Sequence, residues 1–91
     1  MACIYILFSE SKQCFYTGSS RSENAQIRLI AHNSGRVRST KSGKPWILIY
    51  DESHADYHDA RKRELFLKTG IGRKWVTEQF GHYKKEIRRG G

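Results

Sequence analysis

The chain has 91 residues and carries a formal net charge of +8, from 17 Lys and Arg against 9 Asp and Glu. A chain of this length forms one domain with a modest core, and its two cysteines exclude a disulfide framework and a paired-cysteine zinc site. No apolar run approaches the roughly 18 residues that a membrane span needs, so we expect a cytoplasmic protein without membrane association. The positive charge favours nucleic acid as the binding partner, because phosphates carry the complementary charge.

Two strand-like segments joined by a short polar connection begin the chain. Residues 3–8 and 14–17 are apolar and rich in strand formers, while residues 9–13 between them are polar. Gly18 follows the second segment and ends it. This pattern predicts a β-hairpin.

The register of this hairpin decides where two tyrosines point. Side chains alternate across a strand, so Tyr5 and Tyr16 share a face when a four-residue connection or a bulge pairs them directly. A regular five-residue loop would instead pair Tyr5 with Thr17 and send Tyr16 to the other face. We predict the direct pairing, in which Cys3 and Cys14 lie apart and form no disulfide.

A helix is predicted after the hairpin. Ser20 with Glu23 fits a capping box at its start, and Ser22 is a rival N-cap. The helix runs to about Asn33, and Gly35 shortly after it is a typical signal for a helix C-terminus. Asn33 is also a candidate for a supporting role beside a functional site.

Polar residues of this helix and of the segment behind it are candidates for contacts with phosphate. Arg28 and His32 lie one turn apart and therefore share a helix face. Residues 35–44 form a predicted loop with four cations: Arg36, Arg38, Lys41 and Lys44. Such side chains contact the phosphate backbone and give salt-sensitive affinity without sequence choice. The alternative is a solvated, flexible segment.

The second half of the chain predicts one strand and two helices. The unbroken apolar run 46–50 indicates a strand that is covered on both faces and lies at the centre of a sheet. Ser53 with Asp56 fits the start of a helix over about residues 55–69, which a pair of glycines ends. A last helix is predicted over about residues 73–80.

The predicted order of elements is strand, strand, helix, strand, helix, helix. It indicates a small α/β domain, with a three-stranded and at least partly antiparallel sheet flanked by helices. We expect this domain to span residues 1–82 and to be followed by a basic tail over residues 83–91. The tail supplies four further cations for phosphate: Lys84, Lys85, Arg88 and Arg89.

A carboxylate interrupts the apolar face of the second predicted helix. At spacings of three and four, that face consists of Tyr57, Ala60, Glu64 and Leu67. A charge in an apolar stripe costs free energy unless it is paired or bound to a metal. Glu64 is therefore either ion-paired with Arg61 or Lys68 at the edge of the stripe, or a metal ligand.

Four short motifs in this order resemble those of the GIY-YIG nuclease domain. Residues 3–5 (CIY) are similar to the first signature, with cysteine where glycine usually stands. Residues 15–18 (FYTG) are similar to the second, with threonine in place of isoleucine or valine. Residues 28–33 (RLIAHN) resemble the helix that carries the family's arginine, and residues 60–64 (ARKRE) resemble the segment that ends in its metal-binding glutamate. The resemblance covers residues 3–70 and is closest to small stand-alone members.

The resemblance implies metal-assisted hydrolysis of a phosphodiester, with one role for each matching residue. Glu64 would bind one divalent ion, Mg²⁺ or Mn²⁺, and Arg28 would hold the scissile phosphate. Tyr5 or Tyr16 would orient the attacking water, and one of them would take its proton. A free tyrosine has a pKa of about 10, so Arg28, His32 and the metal would have to assist this transfer.

This chain departs from the family in two ways. Many members carry an asparagine after the metal-binding glutamate, and here only Arg73, Lys74 or Gln79 is available as a substitute. Larger members also gain specificity from appended DNA-binding domains, and we expect none here. A separate protein partner for targeting is therefore expected.

We predict an endonuclease that hydrolyses DNA, duplex or branched, at one Tyr/Tyr/Arg/Glu site with weak sequence specificity, and RNA is a second candidate substrate. The alternative is a nucleic-acid-binding module with the same fold and little or no cleavage activity. A third interpretation is a small ribosome-associated or RNA-binding protein whose basic surface is its function. That interpretation leaves Glu64 in its apolar stripe unexplained.

Overall fold

The computed structural model describes residues 1–84. These residues contain three strands and three α-helices, in the order β1 (Ala2–Ser9), β2 (Cys14–Ser20), α1 (Ala25–Asn33), β3 (Trp46–His54), α2 (Tyr57–Leu67) and α3 (Gly70–Phe80). Two short 3₁₀ segments, Arg38–Gly43 and Gly81–Tyr83, follow α1 and α3. The predicted α/β fold with a three-stranded sheet flanked by helices is confirmed.

The predicted tail lies mostly outside the described residues. Lys85, Arg88 and Arg89, which we expected to contact phosphate, are among the residues not described. The domain boundary after residue 82 therefore stays a prediction. No helix within residues 1–84 has the length and hydropathy to cross a membrane.

The sheet is antiparallel throughout, and its central strand is β1. The strands lie in the order β2-β1-β3, and every residue of β1 is buried. The prediction that the apolar run 46–50 forms the central strand was wrong, because β3 lies at the sheet edge. Its two faces are nevertheless covered, with Leu48 on the α1 side and Tyr50 on the side of α2 and α3. Helices on both faces make an edge strand as apolar as a central one.

Alternate residues of β1 serve two small cores. Ile4 and Ile6 pack against α2 and α3 on one side of the sheet. Tyr5 and Leu7 face the other side, where they pack with Trp46 and α1. Tyr5 is therefore held by a hydrophobic core although it carries a polar group.

The hairpin register differs from the prediction by two residues. Tyr5 lies opposite Gly18, and Tyr16 lies opposite Leu7, so the two tyrosines are not direct partners. A shift of two residues preserves the face of every side chain, so both tyrosines still share one face. Cys3 lies opposite Ser20 and Cys14 opposite Ser9, and both thiols are free.

Two helices begin at caps other than those predicted. The N-cap of α1 is Asn24, whose side chain accepts from the backbone N–H of Gln26. Ser20 and Ser22 do not cap the helix, because Ser20 ends β2 and both hydroxyls accept from backbone N–H groups in the turn before α1. Asp56 caps α2 by itself, because the serine predicted as its cap lies in β3.

The third helix begins earlier than predicted. Thr69 caps α3 by accepting from the backbone N–H of Gly72, so the helix starts at residue 70 rather than 73. A Cβ at residue 72 would overlap with the backbone of Phe66 and Leu67. This glycine therefore allows α2 and α3 to approach closely and to cover the sheet together.

The basic segment behind α1 is a pinned 3₁₀ turn rather than an open loop. Its Thr40 and Gly43 are buried, and the Trp46 indole N–H donates to the Thr40 carbonyl at 2.8 Å. The Asn33 side chain bonds to both backbone groups of Trp46, at 2.6 and 2.9 Å. Asn33 thus ties α1 to β3 close to this segment, and its supporting role beside the site stays a prediction.

Candidate active site

The candidate residues meet at the outer edge of β2, and a glycine makes their approach feasible. Tyr5 projects from the central strand, and its buried ring reaches over Gly18 of β2. A Cβ on Gly18 would lie 2.5 Å from the Tyr5 hydroxyl oxygen and 3.0 Å from Cε2 of Tyr16. The second signature therefore needs glycine at this position, because any side chain would occupy the place of the Tyr5 hydroxyl.

The Tyr5 hydroxyl stands between two residues of α1. Arg28 Nε donates to it at 3.4 Å, and Nε2 of the fully buried His32 lies 3.0 Å away. The other ring nitrogen of His32 lies 2.8 Å from the Thr40 hydroxyl, which donates to the Val37 carbonyl at 3.2 Å. A hydroxyl has one proton to donate, so the Thr40 oxygen accepts from Nδ1–H of His32. Nε2 is then the acceptor for the Tyr5 proton.

Burial and charge set the protonation states of this pair. Burial, assisted by the neighbouring Arg28 charge, lowers the pKa of His32 to about 4. Burial raises the pKa of Tyr5, although the hydrogen bond from Arg28 opposes this effect. At neutral pH the tyrosine is therefore protonated and the histidine is a neutral acceptor.

Tyr16 lies beside this pair with its hydroxyl available. Its ring centroid is 6.4 Å from that of Tyr5 and 4.9 Å from that of His32. Lys68 Nζ lies 5.6 Å from the Tyr16 ring centroid, a cation–π distance. The structure gives the Tyr16 hydroxyl no hydrogen-bond partner within residues 1–84, so a water or a substrate oxygen can take that place.

Glu64 reaches the same edge from α2 as a buried, fully paired carboxylate. Its Oε1 accepts from the Ser19 hydroxyl at 2.5 Å and from Arg61 Nη1 at 2.8 Å, while Oε2 accepts from Lys68 Nζ at 2.7 Å. Burial opposes its ionisation, but the hydrogen bonds from Lys68, Ser19 and Arg61 outweigh burial and lower the pKa of Glu64. Both ion pairs considered from the sequence are thus present.

A divalent ion fits these side chains only if they supply few of its ligands, and water and substrate supply the rest. Within residues 1–84 no group of three or more His, Cys, Asp or Glu side chains could hold a metal. Mg²⁺ is nevertheless often bound through one carboxylate, several waters and substrate phosphate oxygens. The ionised Glu64 and the adjacent Ser19 hydroxyl fit that kind of site, in which the substrate completes the coordination.

The four cations of residues 35–44, of which Arg38 and Lys41 lie in the 3₁₀ segment, are on the surface next to the His32 side of the site. Arg36, Arg38, Lys41 and Lys44 are all exposed, and none forms an ion pair within the described part of the chain. Thr40 connects this segment to His32 through the hydrogen bond at 2.8 Å.

Sequence reasoning missed two residues of this site, Ser19 and Thr40. Ser19 was not singled out, and Thr40 was only one residue of the loop predicted over residues 35–44. Ser19 bonds to Glu64, which is distant in the sequence, and Thr40 bonds to His32 across the turn that follows α1. No local pattern in the sequence signals either contact.

Comparisons with known proteins agree with the motifs. The family model of the GIY-YIG catalytic domain matches residues 1–74. The chain belongs to the GIY-YIG family. It is 32% identical to a UPF0213 protein of Staphylococcus haemolyticus, over 76% of this chain and 84% of that protein. It is 40% identical to UPF0213 proteins from two strains of Staphylococcus epidermidis, over 59% of this chain and 65% of theirs. No solved structure matches the chain.

Membership of the GIY-YIG family indicates a nuclease-type function and a nucleic-acid substrate. The family predicted from the sequence is thus confirmed. The names of the UPF0213 relatives state no activity. The roles of Tyr5, Tyr16, Arg28, His32 and Glu64, and those of the four exposed cations, stay predictions.

Proposed function

We propose that the protein is a divalent-metal-dependent endonuclease that hydrolyses phosphodiester bonds in DNA with weak sequence specificity. The observation that carries this proposal is the Tyr5 hydroxyl, held between Arg28 and the neutral, buried His32. Because His32 can accept the hydroxyl proton of Tyr5, the Tyr5 oxygen can in turn accept a proton from water. Tyr16 and Glu64 lie at the same sheet edge, as a hydrolytic site requires.

Arg28 would bind the scissile phosphate. Only its Nε is bonded to Tyr5, so the two terminal nitrogens are available to phosphate oxygens. One guanidinium would thus connect the phosphate to the base that activates water. Its fixed charge also neutralises part of the negative charge that develops during hydrolysis.

Tyr5 would take the proton of the attacking water while its own proton passes to His32 Nε2. The short distance to Nε2 supports Tyr5 rather than Tyr16 for this role, which the sequence left open. The transfer creates an imidazolium beside Arg28, and the low pKa of His32 makes this step unfavourable in the free protein. The negative charge of a bound phosphate would offset that cost. Tyr16 would orient the water or the leaving oxygen.

Glu64 would hold the metal, and Mg²⁺ or Mn²⁺ bound there supplies charge stabilisation to the leaving oxygen. Ser19 and Arg61 both bond to Oε1 and fix the orientation of the carboxylate. That orientation leaves Oε2 directed toward Lys68 and Tyr16. The carboxylate thus needs no large rearrangement to serve as a ligand.

Phosphate contacts outside the reacting centre would come from the exposed cations of residues 35–44. They touch phosphate rather than base edges, which supports weak sequence specificity on duplex or branched DNA, or on RNA. Of the substitutes for the family's asparagine, Arg73 lines the same pocket as Tyr16 and Lys68. We further propose a cytoplasmic location and a protein partner for targeting.

The second candidate function is a binding module without cleavage. The observation that favours it is the pairing of both Glu64 oxygens with cations, which opposes metal binding. Incubation with supercoiled plasmid, single strands and branched duplexes, in Mg²⁺, Mn²⁺ or chelator, separates the two functions. Cleavage that requires metal and disappears in Arg28→Ala and Glu64→Ala supports the nuclease. Binding without cleavage of any substrate supports the module, and cleavage that persists in both variants reveals a contaminant.

A further inference from the structure

Lys68 occupies the place that a metal ion would take on Glu64. Its ammonium lies 2.7 Å from Oε2 and is the sole partner of that oxygen within residues 1–84. Oε1, in contrast, is shared between Ser19 and Arg61. Oε2 is therefore the oxygen that a divalent cation can reach, provided that Lys68 leaves.

Lys68 is also able to leave. It is the residue that follows the last turn of α2, and its side chain is 42% exposed, whereas that of Glu64 is 5% exposed. The carboxylate is fixed by its burial and by its bonds to Ser19 and Arg61, while the lysine stem is long and flexible. In such a pair the cation moves and the anion stays.

A place for the released ammonium adjoins the site. A cavity of about 500 Å³ lies between β2 and α3, and Lys68, Arg73 and Lys84 line it with Phe15 and Tyr16. Among residues 1–84, no acidic side chain lines this cavity. Once Lys68 leaves Glu64, three cations face one cavity, and their mutual repulsion favours the entry of an anion such as a phosphate of the substrate strand.

We propose that Lys68 acts as an exchangeable stand-in for the metal: it holds Glu64 in the metal-free protein, yields Oε2 to a divalent cation, and then contacts a substrate phosphate in the adjoining cavity. This inference rests on the metal-binding role of Glu64 in the proposed function. Metal and nucleic acid should then each strengthen the binding of the other, because both favour the position of Lys68 away from Glu64. Such coupling is reciprocal by thermodynamic necessity.

The decisive experiment measures metal affinity without nucleic acid. Mn²⁺ is titrated by calorimetry into the wild type, Lys68→Met, Lys68→Arg and Lys62→Met; Lys62 is exposed on the same helix and forms no ion pair within residues 1–84. We expect Lys68→Met to bind Mn²⁺ about tenfold more tightly than the wild type, because a competing charge has been removed. Lys68→Arg and Lys62→Met should stay within about twofold of the wild type. A lysine with a merely structural role would give weaker binding on removal, so an unchanged or weaker affinity in Lys68→Met overturns the proposal.

A Glu64→Gln variant separates this inference from the proposed function. If Glu64→Gln binds Mn²⁺ as tightly as the wild type does, Glu64 is not the ligand, and the metal role and the exchange both fail. If Glu64→Gln abolishes binding while Lys68→Met equals Lys62→Met, only the exchange fails. Thermal unfolding of each variant confirms that the compared proteins are folded.

A second measurement tests where Lys68 goes. The affinity for a fluorescent oligonucleotide is compared between wild type and Lys68→Met in EDTA and in Ca²⁺, with Lys62→Met as the control. We expect Lys68→Met to match the wild type in EDTA and to bind about threefold more weakly in Ca²⁺, when the released lysine should contact phosphate. An equal effect of the variant in both conditions would show that Lys68 does not move into the cavity.

Discussion

Two clusters of the molecule contain the same four residue types, Tyr, His, Arg and Glu, yet they use their polar groups differently. In the cluster beside β3, Tyr50, His54 and Arg63 all bond to the Glu52 carboxylate. The Tyr50 hydroxyl donates at 2.5 Å, and Arg63 donates through two nitrogens at 3.1 Å each. Burial and the bond to Glu52 raise the pKa of Tyr50 to about 12. This β3 cluster is closed on itself and ties β3 to α2.

The candidate active site distributes its bonds so that several groups are left for a substrate. The Tyr5 hydroxyl is held by Arg28 and His32, but the terminal nitrogens of Arg28 and the hydroxyl of Tyr16 have no partner within residues 1–84. Glu64 is paired, yet with cations on exposed, flexible side chains. The same four residue types therefore occur both in a closed cluster and in the candidate site. The difference is that the candidate site has hydrogen-bonding groups that the described fold does not use.

The largest expected effect distinguishes Tyr5 of the candidate active site from Tyr50 of the β3 cluster. Tyr5→Phe removes the proposed base and should lower the rate of DNA cleavage about 10³-fold, within the range for loss of general base catalysis. Tyr50→Phe, the matched change in the β3 cluster, should leave the rate within about twofold of the wild type. Single-turnover cleavage of a labelled duplex at saturating protein measures both. Equal losses in the two variants would remove the functional distinction between the clusters.

The next effect concerns stability against pH and comes from His32. Its pKa is about 4 in the folded protein and about 6.5 when unfolded, so the unfolded chain binds the extra proton between these values. The free energy of unfolding should therefore fall by up to about 3 kcal/mol as pH decreases from 6.5 to 4. Glu52 and Glu64, whose pKa values are lowered, lose their contribution mainly below that window. Urea unfolding of the wild type and His32→Gln from pH 7 to 4 measures the effect, and an equally steep decline in the variant would contradict it.

A smaller effect should appear when the β3 cluster is opened. Glu52→Gln removes the charge that Arg63 and Tyr50 share, and we expect the free energy of unfolding to fall by about 1–2 kcal/mol. DNA cleavage by the folded variant should remain within about twofold of the wild type. Urea unfolding at pH 7 and cleavage at saturating protein are measured on the same preparation. A loss of cleavage without a loss of stability would make this cluster a second functional site.

Local sequence signals predicted the elements of this fold better than their arrangement. The helix end near Gly35 and the strand at residue 46 follow from turn residues and apolar runs, and both are correct. The position of β3 at the sheet edge was not predictable, because helices on both faces make its sequence resemble that of a central strand. The hairpin register was wrong by two residues, since neither strand end is marked by a strong turn signal.

The candidate site was predictable through its motifs and not through its contacts. Tyr5, Arg28 and His32 were singled out from spacing and resemblance, and the structure brings them within hydrogen-bond distance. Thr40, which determines the tautomer of His32, was not found, because its role arises only when the 3₁₀ segment folds back on α1. Lys68 was considered only as an ion-pair partner of Glu64, since nothing in the sequence shows that it shares a cavity with Arg73.

The smallest expected effect concerns exposed cations on the surface, near the candidate site and on α2. Arg36→Gln and Arg38→Gln should each weaken DNA binding about threefold and reduce the dependence of affinity on salt by about one ion, because each proposed contact is to one phosphate. Lys62→Gln, an equal charge change on α2, should have a smaller effect, because Arg36 and Arg38 lie just before and at the start of the turn that Thr40 ties to His32. Fluorescence anisotropy across a salt series measures both quantities. Equal weakening by all three variants would indicate that net charge alone, rather than this segment, holds the DNA.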